Sequence, residues 1–362
     1  MEKVITHVGL DVHADRIVIA SLEGQASEPV VRDIPNDAKI IRRTFQRLAR
    51  ETFELRCCYE AGPCGFELYR VLTEMGVACE VIAPSLIPVR SGDRVKTDRR
   101  DATKLARLYR AGELTTVTVP TPEREAVRDV VRAREDVRKD LTSARHRLGK
   151  FLVRHGRIFH GGKNWTNRFW VWLRAQAFQH EGERLTFEHY VHEVEHLAVR
   201  RADLDRQIER IARTEPYADS IAKLTCLRGI STLSAMALVA EIGDFRRFET
   251  PRQLMAFVGL VPREYSSGGK EKRGGITKTG NSHVRRVLIE ASWSYRHRPA
   301  MGPRLKQALR GQPGSVVEYT RKAQIRLHRR YSRLVGRGKK SQLAVAAVAR
   351  ELCGFVWGLM AA

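Results

Sequence analysis

Lys96-Thr97-Asp98-Arg99-Arg100-Asp101-Ala102 places two acids three positions apart at the predicted start of a helix, with Leu105 and Leu108 following at helical spacing. Residues i and i+3 share a helix face, so both carboxylates can point at one spot. Two readings compete. Asp98 at the N-cap with Asp101 at the third helical position resembles a capping box, and acids suit the positive end of a helix. Alternatively, the pair belongs to a larger cluster of acids that does chemistry. The segments that precede it bear on the choice.

Residues 4–11 read as a strand running into Asp11, residues 16–22 as a second strand and residues 30–34 as a third. The gaps are short, which favours an antiparallel meander. Residues 37–49 look helical, with Ile40, Ile41, Phe45 and Leu48 on one side. Residues 53–59 form the next strand and deliver Glu60. Gly62-Pro63 breaks the chain, residues 66–75 form a helix with a stop at Gly76, and residues 77–83 form a further strand. Three strands, helix, strand, helix, strand, helix is the element order of the ribonuclease H-like fold, a mixed α/β architecture. In that fold the first and fourth strands lie side by side. Asp11 and Glu60 then come together, and the later helix lays Asp98 and Asp101 across them. Four clustered carboxylates cannot all stay ionised without a compensating cation. Hard divalent ions take oxygen ligands, with magnesium usual where phosphate is the substrate. Two such ions can stabilise both oxygens of a phosphoryl displacement.

The chain has 362 residues, room for two or three domains and a sizeable core. Lysine and arginine number 65 against 41 acids, a net charge of +24. The excess is spread along the whole length, which points to a polyanionic partner, nucleic acid by default. The opening Met-Glu-Lys-Val lacks the layout of a signal peptide. The most apolar run, residues 343–362, is interrupted by Arg350 and Glu351, so no membrane span is expected. The six cysteines form no CxxC pair and read as reduced thiols, neither a disulfide framework nor a zinc site. A cytoplasmic, nucleoid-associated protein is expected.

Pro120 and Pro122 mark a boundary. Residues 123–155 and 183–213 are strongly charged with broken apolar stripes, suggesting two long helices packed as an antiparallel pair. The domains so drawn are 1–120, 121–215 and 216–362. Between the helices, residues 156–182 carry Trp165, Phe169, Trp170 and Trp172. These either stack on bases or form a small packing core, the commoner fate of clustered aromatics. His189, His192 and His196 share a helical face without the nearby glutamate of a zinc protease, and read as surface histidines.

In the last third, residues 224–231 lead into a helix over 232–242 through a Gly229-Ile230 turn. This is either a backbone-gripping helix-hairpin-helix or an ordinary helical hairpin. Residues 259–281 are rich in Gly, Ser, Lys and Arg, lack the spacing of a Walker loop, and end at a helix beginning near Ser282. They read as a polar phosphate-contacting loop, or as the carrier of a nucleophilic serine if a base or metal assists its ionisation. Arg285, Arg286, Arg296, Arg298 and the run 321–337 continue the basic surface.

Taken together, Val8-Gly9-Leu10-Asp11, Tyr59-Glu60-Ala61, the Lys96–Ala102 stretch, Leu227-Arg228-Gly229-Ile230, and Gly259-Leu260-Val261-Pro262 through Ser267-Gly268 to Thr277-Lys278-Thr279-Gly280-Asn281 carry a resemblance. Across nearly its whole length the chain resembles the insertion-sequence 110 family of transposases. These are RNA-guided recombinases with a RuvC-like domain and a separate serine domain. The resemblance implies a RuvC-like N-terminal domain, a coiled-coil connector and a helical C-terminal serine domain. It implies that Asp11, Glu60, Asp98 and Asp101 form an acidic tetrad holding Mg2+, with Mn2+ as a possible substitute. It implies that Ser267 is the nucleophile, with Ser266 its neighbour and rival. Donor and target DNA, a structured guide (bridge) RNA encoded by the element, and copies of the chain itself, dimers assembling into a tetramer, are the implied partners. Two other readings stay open: a metal-dependent junction endonuclease that uses water, and a non-catalytic nucleic-acid-binding scaffold.

Overall fold

Ile17, Val18, Ile19 and Ala20 are consecutive buried residues, the pattern of a strand covered on both faces. In the computed structural model, which describes residues 4–89, 97–267 and 270–361 and no side chain from 266 to 273, that strand lies inside a five-stranded sheet. Strands β1 (Ile5–Val12), β2 (Arg16–Glu23) and β3 (Val30–Pro35) form an antiparallel meander. Helix α1 (Ala38–Glu51) follows, capped by the Asp37 side chain, which accepts from the backbone N–H groups of Lys39 and Ile40. Then come β4 (Glu54–Glu60), α2 (Glu67–Glu74), β5 (Ala78–Ile82) and α3 (Asp98–Arg110). The sheet order is β3-β2-β1-β4-β5, with β4 parallel to both β1 and β5. The first and fourth strands are neighbours, an arrangement consistent with a ribonuclease H-like sheet.

Alternation along the strands divides the core in two. Val8, Leu10, Ile17, Ile19 and Tyr59 pack with Ile41 and Phe45 of α1 and Leu68 and Leu72 of α2. Val18, Ala20 and Leu22 face the other way and pack against Ala102 and Ala106 of α3. Gly9 faces α3 as well. A Cβ there would stand 2.2 Å from the Ala102 carbonyl oxygen and 2.4 Å from the Ala106 nitrogen. Only a glycine opposite two alanines lets the helix backbone lie this close to the strand. Tyr109, near the end of α3, meets His7 edge-on with ring centroids 5.7 Å apart. Helix α3 therefore runs antiparallel to β1, and its first turn falls beyond Gly9, at Asp11.

The chain forms two compact units, residues 1–120 and 121–362. The second opens with α4 (Pro122–Arg154), α5 (Asn167–Arg174) and α6 (Glu181–Ile211). The Arg134–Asp205 ion pair (2.7 Å) and the His155–Glu183 contact (3.5 Å) show that α4 and α6 run antiparallel. The aromatic insertion packs on them: Phe169 and Leu173 are buried with Leu148, Phe151 and Leu152, and Phe159, Trp165, Trp170 and Trp172 close around them. Helices α7 (Ala218–Thr225), α8 (Thr232–Ile242) and α9 (Pro251–Phe257) precede β6 (Pro262–Ser267) and β7 (Lys270–Ile276). Helices α10 (Ser282–Ser292), α11 (Pro303–Leu309), α12 (Gly314–Gly336) and α13 (Ser341–Met360) complete the unit. Among the described residues, α13 alone is long and apolar enough to cross a membrane. Here Val348, Ala349, Leu352, Cys353, Val356 and Leu359 of that helix lie in the core with residues of α7, α8 and α10.

The stretch read as a loop over 259–281 is instead a β-hairpin, with Glu264 opposite Arg273 and Tyr265 opposite Lys272. Most of its residues are glycine, serine or charged, and Arg263, Glu264 and Tyr265 are exposed. A strand pair with so few apolar residues carries no alternating signal for the sequence to show.

Gly9→Ala forces a methyl group against helix backbone that cannot move without moving α3. The expected cost is about 2–3 kcal/mol, read as a lower unfolding temperature by calorimetry, whereas Gly149→Ala, in open space on α4, should leave it unchanged or raised.

Candidate catalytic centre

Gly9 and Asp11 lie two residues apart on β1, so Asp11 shares the face that α3 covers. The helix start is set by Thr97, whose backbone is extended (φ −144°, ψ 145°) and whose hydroxyl accepts from the Arg100 N–H at 3.4 Å. Asp98 is thus the first helical residue and not the cap, a correction to the capping-box reading. With the capping done by Thr97, the Asp98 carboxylate turns toward β1. His13 Nε2 stands 3.3 Å from Asp11 Oδ2 and 3.5 Å from Asp98 Oδ2. Arg16 donates to the same Asp98 oxygen. Ligand atoms of Asp11, His13 and Asp98 all lie within 4.8 Å of one another.

Burial pushes the Asp11 carboxyl up, His13 draws it back, and the charges of Asp98 and Asp101 push it up again. Asp101, one turn along α3, is therefore within electrostatic reach of Asp11. Its own backbone N–H donates to the Thr97 carbonyl at 2.9 Å. Glu60 ends β4, and since Leu10 pairs with Tyr59, Asp11 and Glu60 are the next residues on adjacent parallel strands. Glu60 is exposed and stands outside the close group of three. The residue that sequence reading missed is His13. Its signal was the Asp11-Val12-His13 spacing, which puts both side chains on one face of an extended segment. Oxygen and imidazole donors around a carboxyl that burial and like charge discourage from ionising suit a divalent cation.

The backbone of Ser266 pairs with Glu271 and that of Ser267 with Lys270, at the tip of the β6–β7 hairpin. The side chains of both serines lie outside the described residues, as does Gly268. The hairpin's base is fully described. Thr277 N–H donates to the Val261 carbonyl at 2.8 Å, Lys278 N–H to Gly259 at 3.1 Å and Asn281 N–H to Phe257 at 3.0 Å. Gly259 (φ +66°) and Gly280 (φ +76°) occupy left-handed backbone, and a Cβ at either would lie 2.1 Å from a carbonyl oxygen of the opposite arm. These contacts give the Gly259–Pro262 and Thr277–Asn281 motifs a common purpose: they clamp the two arms together.

Asn281 adds a second clamp. Its Oδ1 caps α10 by accepting from the Val284 N–H (3.0 Å), and its Nδ2 donates to Glu241 Oε2 (2.8 Å). The Glu241 side chain, 1 % exposed, also accepts from Arg132 Nε at 2.8 Å. Burial raises its pKa, but hydrogen bonds from Arg132 and Asn281 and the charges of Arg132 and Arg128 outweigh burial and hold it below the usual range. Arg285 and Arg286, expected on a nucleic-acid-facing surface, turn inward. Arg285 donates to the carbonyls of Val258 (2.8 Å) and Thr279 (3.2 Å), and Arg286 pairs with buried Glu135 (2.7 Å). A sequence shows that a helix is basic without showing which way each arginine is rotated.

Comparison with known proteins places both regions. The family model DEDD_Tnp_IS110, described as "Transposase", matches residues 8–156, and the model described as "Transposase IS116/IS110/IS902 family" matches residues 221–306. The transposase for insertion sequence element IS1533 of Leptospira borgpetersenii is 36% identical over 339 residues, covering 92% of this chain and 98% of its own. The protein y4qE of Sinorhizobium fredii, which carries a transposase name, is 44% identical over 322 residues, covering 88% of this chain and 78% of its own.

The chain belongs to the IS110 family of insertion-sequence transposases. This transposase is a DNA-cutting and rejoining enzyme. A DEDD-type domain suggests a divalent metal, and the matched segment contains the Asp11–His13–Asp98 group.

Two outcomes follow from this geometry. The folded state raises the Asp11 pKa, so the stability that this shift contributes is present at low pH and lost as pH rises through the folded value. Added Mn2+ or Mg2+ should raise the unfolding temperature increasingly across that same window, and Asp11→Asn should abolish the increment while leaving the metal-free protein as stable or more so; calorimetry with and without EDTA checks this. Glu241→Ala strips Arg132 and Asn281 of their partner and is expected to cost about 2–3 kcal/mol, measured by urea unfolding followed through tryptophan fluorescence.

Proposed function

We propose that this transposase exchanges DNA strands through a covalent serine link, with a structured RNA selecting the DNA. Ser267 Oγ attacks a DNA phosphorus: the serine–phosphorus bond forms, the bond to the 3′ oxygen breaks, and the serine proton ends on that leaving oxygen. A hydroxyl of the partner strand then attacks the phosphoserine, and Ser267 recovers a proton as it leaves. One P–O bond replaces another at each step, so no nucleotide cofactor is consumed. Magnesium, or manganese in its place, held by Asp11, Glu60, Asp98 and Asp101, would supply charge stabilisation for the leaving oxygen. The observation that carries this reading is the convergence of Asp11, His13 and Asp98 within 4.8 Å inside the segment that matches the DEDD-type family.

In this reading the protein has three working parts: a RuvC-like domain over 1–120, a helical connector over 121–215 and a serine domain over 216–362. An RNA encoded by the element pairs with donor and target DNA, leaving the protein to read backbone and shape. Joining two DNAs takes several protomers, and the long α4–α6 pair, about 50 Å in α4 at 1.5 Å per residue, is suited to assemble dimers into a tetramer. The protein would work in the cytoplasm, at the nucleoid.

Ser267→Ala should abolish the protein–DNA adduct trapped by denaturing gel and mass spectrometry, while Ser266→Ala retains it. An adduct that survives Ser267→Ala moves the nucleophile elsewhere, and strand cleavage with no adduct in the unaltered protein assigns attack to water.

A further inference from the structure

Helix α12 turns Thr320, Ala323, Gln324 and Leu327 into the core. Its opposite side carries Lys322, Arg326, Arg329, Arg330 and Arg333, which line one wall of a groove of about 720 Å³ between α12 and α13. We propose that this groove is a docking surface for the phosphate backbone of duplex DNA. The inference rests on the transposase acting on DNA and not on the chemistry assigned to Ser267.

Three observations carry it. The first is a cost. Lys322 with Arg326, Arg326 with Arg330, and Arg329 with Arg333 are like charges at i, i+4, a spacing at which they repel and weaken the helix. Compensation is partial. Glu318 pairs with Lys322 at 2.8 Å, and the single acid of the groove, Glu351 of α13, contacts both Arg326 (3.1 Å) and Arg330 (3.3 Å). Arg329 and Arg333 are exposed and form no ion pair among the described residues.

The second is alignment. One glutamate holding two guanidinium groups from consecutive turns fixes them along the groove, and a preset array loses less side-chain freedom on meeting phosphate. His328 reinforces the wall from behind, with Nδ1 3.0 Å from the Tyr295 carbonyl oxygen. The third is length. Eleven residues separate Lys322 from Arg333, about 16 Å along the helix, which exceeds a single nucleotide and spans about half a turn of duplex at roughly 34 Å per turn. Helices α12 and α13 lie outside both segments matched to family models, 8–156 and 221–306.

The test uses the full chain and a labelled 30-base-pair duplex of arbitrary sequence, with affinity followed by fluorescence anisotropy across a KCl series. Each phosphate neutralised contributes about 0.9 to the slope of log affinity on log salt. Arg329→Ala with Arg333→Ala should lower the slope by about 1.8, and Arg329→Lys with Arg333→Lys should keep it. Ser267→Ala should also keep it, which separates failure of the serine chemistry from failure of the groove. An unchanged slope in the alanine pair overturns the proposal. So does a loss that the lysine pair fails to restore, which would mean a structural role, or a slope change seen with a duplex RNA but not with DNA.

Discussion

The N-terminal unit depends on one backbone contact, the seating of α3 on β1 at Gly9. Everything chemical in that unit is registered from it. Asp11 lies one pleat beyond Gly9 on the same face, and Asp98 opens the helix that Gly9 admits. Ala102 and Ala106 keep the helix side of the contact small. Asp98 is free to face Asp11 because the Thr97 hydroxyl satisfies the helix end in its place. Burial above all, with the charges of Asp98 and Asp101, keeps the Asp11 carboxyl raised although His13 draws it down, and Arg16 donates to Asp98 beside it. Packing stability elsewhere in the sheet holds together a group of side chains that would separate if left to themselves.

The hairpin of the C-terminal unit is built on the same physical device. Gly259 and Gly280 allow two backbones to approach where a Cβ would overlap a carbonyl oxygen. Beside each contact stands a polar side chain that fixes direction: Thr97 at the start of α3, Asn281 at the start of α10. In the second case the cap is itself anchored by Glu241, and through it by Arg132 of α4. A long helix and the base of a short exposed ribbon thus share one buried carboxylate.

How much of this was legible in the sequence depends on whether a residue's neighbours are near in the chain. The sheet strands were visible because burial on both faces makes apolar runs such as Ile17–Ala20, and because short gaps leave few ways to connect them. Asp11 and Asp98 were visible as acids at the end of a strand and the start of a helix. The cap assignment erred by one residue, since Thr97 and Asp98 are both competent caps and only backbone dihedrals choose between them. His13 was missed because its partner, Asp98, is distant in the chain and its spacing from Asp11 is unremarkable by itself. The hairpin over 262–276 escaped because pairing between polar strands leaves no periodic trace.

The basic charge was read as one surface, and the structure separates it into two populations. Arg132, Arg138 and Arg286 are held by the buried carboxylates Glu241 and Glu135. They tie α4 to α8 and α10, and drawing them away to phosphates would strand buried carboxylates. Cations of this kind release no counterions on binding and add nothing to salt dependence. The formal charge of +24 already subtracts these carboxylates, so it is the count of 65 basic residues, and not the net charge, that overstates the cations available to DNA. Helix α12 differs: Arg329 and Arg333, a turn apart, form no ion pair among the described residues, and they retain a repulsion that an anionic partner would relieve.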